Sequence, residues 1–360
     1  MIWITGGGTG GHLFPALNVA EEWARRHPRD AIRYLGARRG LEAKVLPGRP
    51  WAHTLLPVHG DLRKGISERL QFYARLSASL LTCEQLYWRE RPALVFGTGG
   101  YASYPAAQVA AWHGAPLFWQ EQNVKPGQVT RRLSKACRCI FSGFEESAAE
   151  LPGSRVVHTG NPVRIDLASG DRWRGRKAAG FAAEDQVLLV LGGSGGASSI
   201  NTAIARIARL LHDQGGLRIW WQTGARDFES LSRQVSPELF PGTMTAFIDQ
   251  MPDAYAAADL VLARAGAMTT SEICAVGKPA VLVPFPHAAA GHQERNVDVL
   301  RNAGAALVVK DEELSGERLA ETLLNLAADR THQVKLASAA RRLGRPDATS
   351  KIVDQMEQLL

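Results

Sequence analysis

At 360 residues the chain exceeds one comfortable hydrophobic core and suits two domains of ordinary size. Its 45% hydrophobic and 21% charged residues exclude a mainly disordered protein. The net charge of +7 is unevenly held: residues 1–163 carry 20 Lys/Arg against 12 Asp/Glu, and residues 164–360 carry 22 against 23. The first half is therefore expected to meet an anionic surface, nucleic acid or an acidic membrane leaflet, with a merely soluble basic surface as the plain alternative. Four cysteines, Cys83, Cys137, Cys139 and Cys274, make no CxxC pair or zinc spacing and read as reduced intracellular thiols. With no signal-peptide pattern after Met1 and no apolar run long enough to span a bilayer, a protein working inside the cell, soluble or surface-attached, is expected.

In chain order, residues 2–5 read as an apolar strand running into the glycine-rich loop 6–12, followed by a helical stretch, 13–26, and a second strand, 32–35. The device of strand, glycine loop and helix recurs at 93–101 and at 187–196. Each junction is expected to present unpaired N–H groups and the positive end of a helix dipole, a combination suited to phosphate. Further strands are predicted at 116–119 and 139–141, with a helix over 102–113. The arginine- and glycine-rich stretch 169–177 reads as a surface loop or linker. Beyond it the strands 218–222, 243–247, 260–263, 280–284 and 306–309 alternate with helices, and a last helix over 347–360 is expected to return to the first domain. This alternation predicts an α/β protein of two Rossmann-like, doubly wound parallel-sheet domains, 1–163 and 164–345, with ligands at the carboxyl ends of the strands in a cleft between them. Residues 346–360 form the returning helix.

Taken alone, Gly6, Gly8 and Gly11 satisfy a dinucleotide fingerprint, but the second strand ends in Gly36-Ala37-Arg38-Arg39 rather than in an acidic residue. Gly192-x-Ser194-x-Gly196 matches a hydrolase nucleophile elbow, with a hydroxyl donor to phosphate as the rival role for Ser194. The fullest local signal is the strand 259–263 opening a helix whose first turn is expected to carry Thr269, Thr270, Ser271 and Glu272. There Glu272 could accept both hydroxyls of a ribose, and the N–H groups of Ala267, Met268, Thr269 and Thr270 could hold a diphosphate. The amides of Gln293 and Asn296 suit vicinal sugar hydroxyls. No DxD or metal-ligand cluster stands in the sequence, so Arg164, helix dipoles and hydroxyls are expected to meet the diphosphate charge.

In their order and spacing these blocks resemble the MurG family: Gly-Gly-Thr-Gly-Gly-His at 7–12, Gly99-Gly100-Tyr101, Glu121-Gln122-Asn123, Gly160-Asn161-Pro162-Val163-Arg164, Phe247-Ile248-Asp249, the run 264–272 and His292-Gln293. The resemblance spans nearly the whole chain. It implies a GT-B glycosyltransferase architecture and transfer of N-acetylglucosamine from UDP-GlcNAc to the 4-hydroxyl of MurNAc in undecaprenyl-diphospho-MurNAc-pentapeptide. That is a step of peptidoglycan synthesis, serving cell-wall growth, shape and division. It also implies no cofactor, no metal and no nucleic-acid partner, and a peripheral place on the cytoplasmic face of the inner membrane. By matching position, Thr9, Gly10, Gly11, Asn123, Arg164, Ser194, Ile248, Ala267, Met268, Thr269, Thr270, Ser271, Glu272 and Gln293 would contact the donor. Ile248 would read the uracil through its backbone, Glu272 would hold the ribose and Gln293 would meet the sugar. Gly8, Gly99, Gly100 and Tyr101 would take the acceptor diphosphate. Two positions depart from the family pattern, Gly195 for a glutamine and Gln120 for a histidine.

Inverting transfer needs a base for the acceptor hydroxyl and stabilisation of the departing UDP. His12, at the start of a helix that favours neutral imidazole, is the candidate base, and Glu121 is the second. Residues 66–91 hold more large apolar side chains, interleaved with Arg63, Lys64, Arg69, Arg75, Arg89 and Arg91, than one buried stripe accommodates. This composition, joined by Trp112, suits an anionic membrane surface. Another lipid-directed GT-B glycosyltransferase and a non-catalytic UDP-sugar-binding protein are the alternative functions.

Overall fold

The computed structural model describes residues 1–60, 65–193, 195–236, 240–288, 291–314 and 316–360. The chain divides into two compact units, one of residues 1–163 with 347–360, the other of residues 164–346.

The first unit holds seven strands: β1 (Ile2–Thr5), β2 (Ile32–Ala37), β3 (Ala52–Leu56), β4 (Val95–Gly97), β5 (Leu117–Glu121), β6 (Cys139–Ser142) and β7 (Val156–His158). All pair in parallel in the order β3-β2-β1-β4-β5-β6-β7, with Ile4 opposite Tyr34 on one side and Phe96 on the other. The central strands are apolar runs because helices cover both faces, which is what parallel sheets require. The two edge strands β3 and β7 carry no such run, being partly exposed, and so leave no apolar signature in the sequence.

The helix Ala348–Leu359 completes this unit: Ile352, Val353 and Met356 are fully buried in the same core as Leu13, Leu17 and Phe96. Thr349 donates its hydroxyl to the Val163 carbonyl at 2.6 Å, and Arg26 pairs with Asp354 at 2.5 Å. Burial pushes the Cys139 thiol up to about 11 and the Cys137 thiol up to about 12, so both stay protonated at neutral pH.

The second unit repeats the design with β8 (Gln186–Leu191), β9 (Leu217–Gln222), β10 (Gly242–Thr245), β11 (Leu260–Arg264), β12 (Ala280–Val283) and β13 (Leu307–Val308), in the order β10-β9-β8-β11-β12-β13. The stretch expected to be a linker is instead a 3-10 turn, Ile165–Ser169, and a helix, Arg172–Ala178. Local and distant carboxylates explain the difference. Asp171 caps the helix by accepting the Arg174 N–H at 2.5 Å, Arg174 pairs with Asp253, and the wholly buried Arg176 donates to Asp259 at 2.9 Å. Arg176 is packed inside the second unit, while Arg172 and Arg174 stay exposed and paired with Asp259 and Asp253.

Candidate active site

In the first unit the glycine loops after β1 and β4 lie side by side because those strands are sheet neighbours. His12, in the first turn of the helix Gly10–Arg26, is the residue where they meet. Its Nδ1 is 3.0 Å from Thr9 Oγ1, its carbonyl accepts the Thr98 hydroxyl at 2.6 Å, and its ring lies against Gly99 and Gly100. A Cβ on Gly99 would come within 3.0 Å of the imidazole Cδ2, and both glycines hold left-handed φ angles of 94° and 76°. Tyr101 packs its ring against Gly8 and Gly60 and donates its hydroxyl to the Arg39 carbonyl at 3.1 Å. Thr9, Gly10, Gly11, His12, Gly99, Gly100 and Tyr101 thus share one end of this sheet.

Two expectations for this unit change. The Gly8 N–H is not an open donor: it points inward to Glu42 Oε1 at 2.9 Å, an oxygen that also accepts the Ala37 N–H at 3.2 Å. Glu121 is buried with both oxygens occupied, Oε1 by the N–H and side-chain amide of Asn123 at 3.0 and 3.2 Å, Oε2 by the Gly127 N–H and the Thr130 hydroxyl at 3.0 and 2.5 Å. Four donors commit this carboxylate, and Asn123 with it, to fixing the turn after β5. Gln120, at one departure from the family pattern, is fully buried and donates to Asn161 Oδ1 at 2.7 Å, while Asn161 donates to the Gln122 carbonyl at 3.0 Å. It ties the loop at 160–161 to β5.

In the second unit the loop after β8 holds Gly193 and Gly196 at φ angles of 81° and 76°, and a Cβ on Gly196 would collide with the Thr223 carbonyl. Ser194 lies outside the described residues. Gln222, at the end of β9, bridges two loops: its Oε1 accepts the Ile248 N–H at 2.9 Å and its Nε2 donates to the Gly193 carbonyl at 3.3 Å. The Ile248 N–H is therefore engaged within the protein. Beside it a cavity of about 600 Å³ is lined by Trp220, Thr245, Phe247, Ile248 and Asp253.

The helix after β11 spans Ala267–Val276, which puts Glu272 in its second turn rather than its first. Thr270 is buried, with its N–H on the Gly266 carbonyl at 2.9 Å and its hydroxyl on the Ala267 carbonyl at 3.0 Å. These bonds secure the helix start. Ala267, Met268, Thr269 and Ser271 stay at that helix start. Glu272 accepts the hydroxyl of the fully buried Tyr255 at 3.0 Å. Burial pushes its carboxyl up to about 7, while the Tyr255 hydroxyl and the Arg164 guanidinium hold it from going higher. Arg164 is paired with Asp166 at 3.0 and 2.8 Å. Gln293, in the helix His292–Asn302, accepts the Phe285 N–H at 2.9 Å.

Sequence reasoning missed Glu42, Gln222 and Tyr255, and gave Arg264 no role. Arg264 is buried, pairs with Asp311 and donates to Ser199 Oγ, both at 2.5 Å, binding together the loops at the ends of β8, β11 and β13. For Gln222 and Arg264 the sequence signal is a polar side chain closing an apolar run; Glu42 and Tyr255 carry no such local mark.

On the first unit's surface, the helix Ile66–Glu90 turns Ser79, Cys83 and Tyr87 inward and leaves a second stripe, Ile66, Leu70, Tyr73, Leu81 and Trp88, facing out, with Leu70 67% and Leu81 64% exposed. Trp112 is exposed on the next helix. Arg91 lies 3.9 Å over the Trp88 ring, and Glu84 accepts from Trp88 Nε1 and sits 2.7 Å from His113. Arg63 and Lys64 lie outside the described residues. Among the described residues, no helix is long and apolar enough to cross a membrane.

Known proteins agree with this picture. Residues 2–142 match the glycosyltransferase family 28 N-terminal domain and residues 187–356 the glycosyltransferase family 28 C-terminal domain. The chain is 38% identical over 354 residues to the UDP-N-acetylglucosamine--N-acetylmuramyl-(pentapeptide) pyrophosphoryl-undecaprenol N-acetylglucosamine transferase of Geobacter sulfurreducens, a match covering 98% of this chain and 97% of the relative. It is 37% identical to the protein of the same name from Myxococcus xanthus, covering 99% and 92%. The crystal structure of Acinetobacter baumannii MurG aligns over 99% of both chains at 26% identity, with a TM-score of 0.77. Two doubly wound parallel-sheet units with such a neighbour define the GT-B fold. The chain belongs to glycosyltransferase family 28 and, within it, to the MurG family.

Proposed function

We propose that this enzyme transfers N-acetylglucosamine from UDP-GlcNAc to the 4-hydroxyl of MurNAc in undecaprenyl-diphospho-MurNAc-pentapeptide, with inversion, without a metal, and as a peripheral protein of the cytoplasmic face of the inner membrane. Support comes chiefly from one juxtaposition: His12, the imidazole of the first unit's glycine loops, lies against Gly99 and Gly100 with its Nδ1 at Thr9. When Nδ1–H donates to Thr9 Oγ1, Nε2 is the basic nitrogen that takes the acceptor hydroxyl proton as the oxygen attacks the anomeric carbon and UDP departs. Arg164 and the start of the helix Ala267–Val276 supply positive potential for the diphosphate, Glu272 accepts the ribose hydroxyls, the Ile248 carbonyl reads the base, and Gln293 meets the sugar. On the first unit, Gly99, Gly100 and Tyr101 receive the acceptor diphosphate.

The test is a transfer assay with labelled UDP-GlcNAc and an undecaprenyl-diphospho-muramoyl-pentapeptide, run with and without chelator. Label should move to the lipid at the same rate in both. Transfer to another lipid only would favour a different lipid-directed transferase, donor binding without turnover would mark a binding protein, and loss of rate with chelator would overturn metal independence.

The outward stripe on the helix Ile66–Glu90, with Arg69, Arg89 and Arg91 exposed beside it, is our proposed membrane face. Sedimentation with vesicles containing phosphatidylglycerol should exceed that with phosphatidylcholine alone. The triple variant Leu70→Ser, Leu81→Ser, Trp88→Ser should lower it at least about tenfold, since each buried side chain contributes roughly 1.5–3 kcal/mol. Equal binding to both vesicles would refute the electrostatic part, and an unaffected triple variant the apolar part.

A further inference from the structure

Against the first glycine loop lies a carboxylate with no assigned role. Glu42 is fully buried, and three glycines from three segments make room for it. A Cβ on Gly7 would land on its carboxylate, one on Gly36 would come within 2.9 Å of its Cγ, and one on Gly40 within 2.7 Å of its Oε2. Oε1 accepts the N–H groups of Gly8 and Ala37, tying the loop after β1 to the end of β2. Oε2 is buried and has no hydrogen-bond partner among the described residues. Above the loop, the Tyr101 ring closes on Gly8, so this residue, at φ 86°, is gripped between a carboxylate and an aromatic ring. The next residue is Thr9, whose hydroxyl meets His12 Nδ1.

We propose that Glu42 is a positioning residue for His12: by holding Gly8 from below it sets Thr9, and through Thr9 the orientation and tautomer of the imidazole. The inference rests on the reading of His12 as the base. It also redefines the loop. An N–H turned toward a buried carboxylate is withdrawn from any phosphate, so the inner part of the first glycine loop anchors the base, and the acceptor diphosphate is left to Gly99, Gly100 and Tyr101.

Glu42→Gln keeps volume and an acceptor oxygen for Gly8 and Ala37, whereas Glu42→Met keeps only volume. Steady-state kinetics with the lipid acceptor, donor binding by calorimetry and thermal melts are measured for both, in the wild-type and His12→Ala backgrounds. Glu42→Gln should stay within about threefold of wild-type kcat, and Glu42→Met should lose about tenfold or more, with UDP-GlcNAc affinity unchanged. In the His12→Ala background Glu42→Met should cost less than about twofold further, because the positioned group is gone. Should the methionine variant not fold, Glu42→Asp withdraws the oxygen from Gly8 without leaving the site apolar and carries the same expectations. Wild-type kcat in Glu42→Met, or an equal loss in both backgrounds, overturns the positioning role. Near-normal turnover of His12→Ala alone instead sinks the base assignment on which it stands.

Discussion

His12→Ala should lower kcat by about 10²–10⁴-fold and leave the affinity for UDP-GlcNAc within about twofold. The split follows from where the residue sits. His12 belongs to the first unit and touches the Thr9 hydroxyl and the glycines after β4, whereas Arg164, Ile248, Glu272 and Gln293 belong to the second. Removing an imidazole that takes up a proton only as the acceptor oxygen attacks raises the barrier without touching donor contacts. Protonation of the ring silences a base, so the fall of kcat on the acid side should be present in wild type and absent from the variant. Thr9→Val should act in the same direction but more weakly, since it releases Nδ1 without removing the ring. Near-normal kcat for His12→Ala, or an unchanged acid limb, would show that His12 only positions the acceptor.

What the sequence discloses and what it hides have separate physical origins. Apolar runs such as those of β1, β8 and β11 and glycine-rich junctions are local signals, because buried parallel strands must be apolar and tight loops must admit left-handed backbone. Hence the doubly wound fold and the glycine loops are legible. The edges β3 and β7 are not, since partly exposed strands need no apolar run. The helix Arg172–Ala178 was hidden for another reason: its arginines are partnered by Asp253 and Asp259, some eighty positions along the chain. The same long range conceals how the site is held. Whether the Gly8 or Ile248 N–H faces a ligand depends on Glu42 and Gln222, which no local pattern joins to them. Nor does any local pattern announce the four donors that the Glu121 carboxylate accepts.

The second large effect belongs to Glu272, and it carries a pH signature. Burial raises its carboxyl to about 7 in the folded protein, above the 4.5 of an ordinary glutamate. Between those values the native state holds a proton that the unfolded chain has lost, so the group costs stability as pH rises from about 4.5 to 7, and no more above that. The full cost is at most about 3 kcal/mol. Glu272→Gln should therefore be more stable than wild type at pH 8 and about equal to it near pH 4.5, as denaturant midpoints at the two pH values would show. Donor binding runs the other way. A carboxylate accepting two ribose hydroxyls makes charge-assisted bonds of about 1.5–3 kcal/mol each, and the bound donor favours the ionised form. UDP-GlcNAc affinity should thus strengthen as pH rises toward 7 and level off above it. Glu272→Gln should weaken affinity by about 10–100-fold at pH 8 and by little near pH 5.5, flattening the profile. The diphosphate of UDP-GlcNAc carries no group that titrates in this range, so calorimetry from pH 5.5 to 8.5 reads the protein. A variant that binds as tightly as wild type at pH 8, or that keeps the wild-type slope, would remove Glu272 from the ribose site and leave it a hydrogen-bond partner of Tyr255.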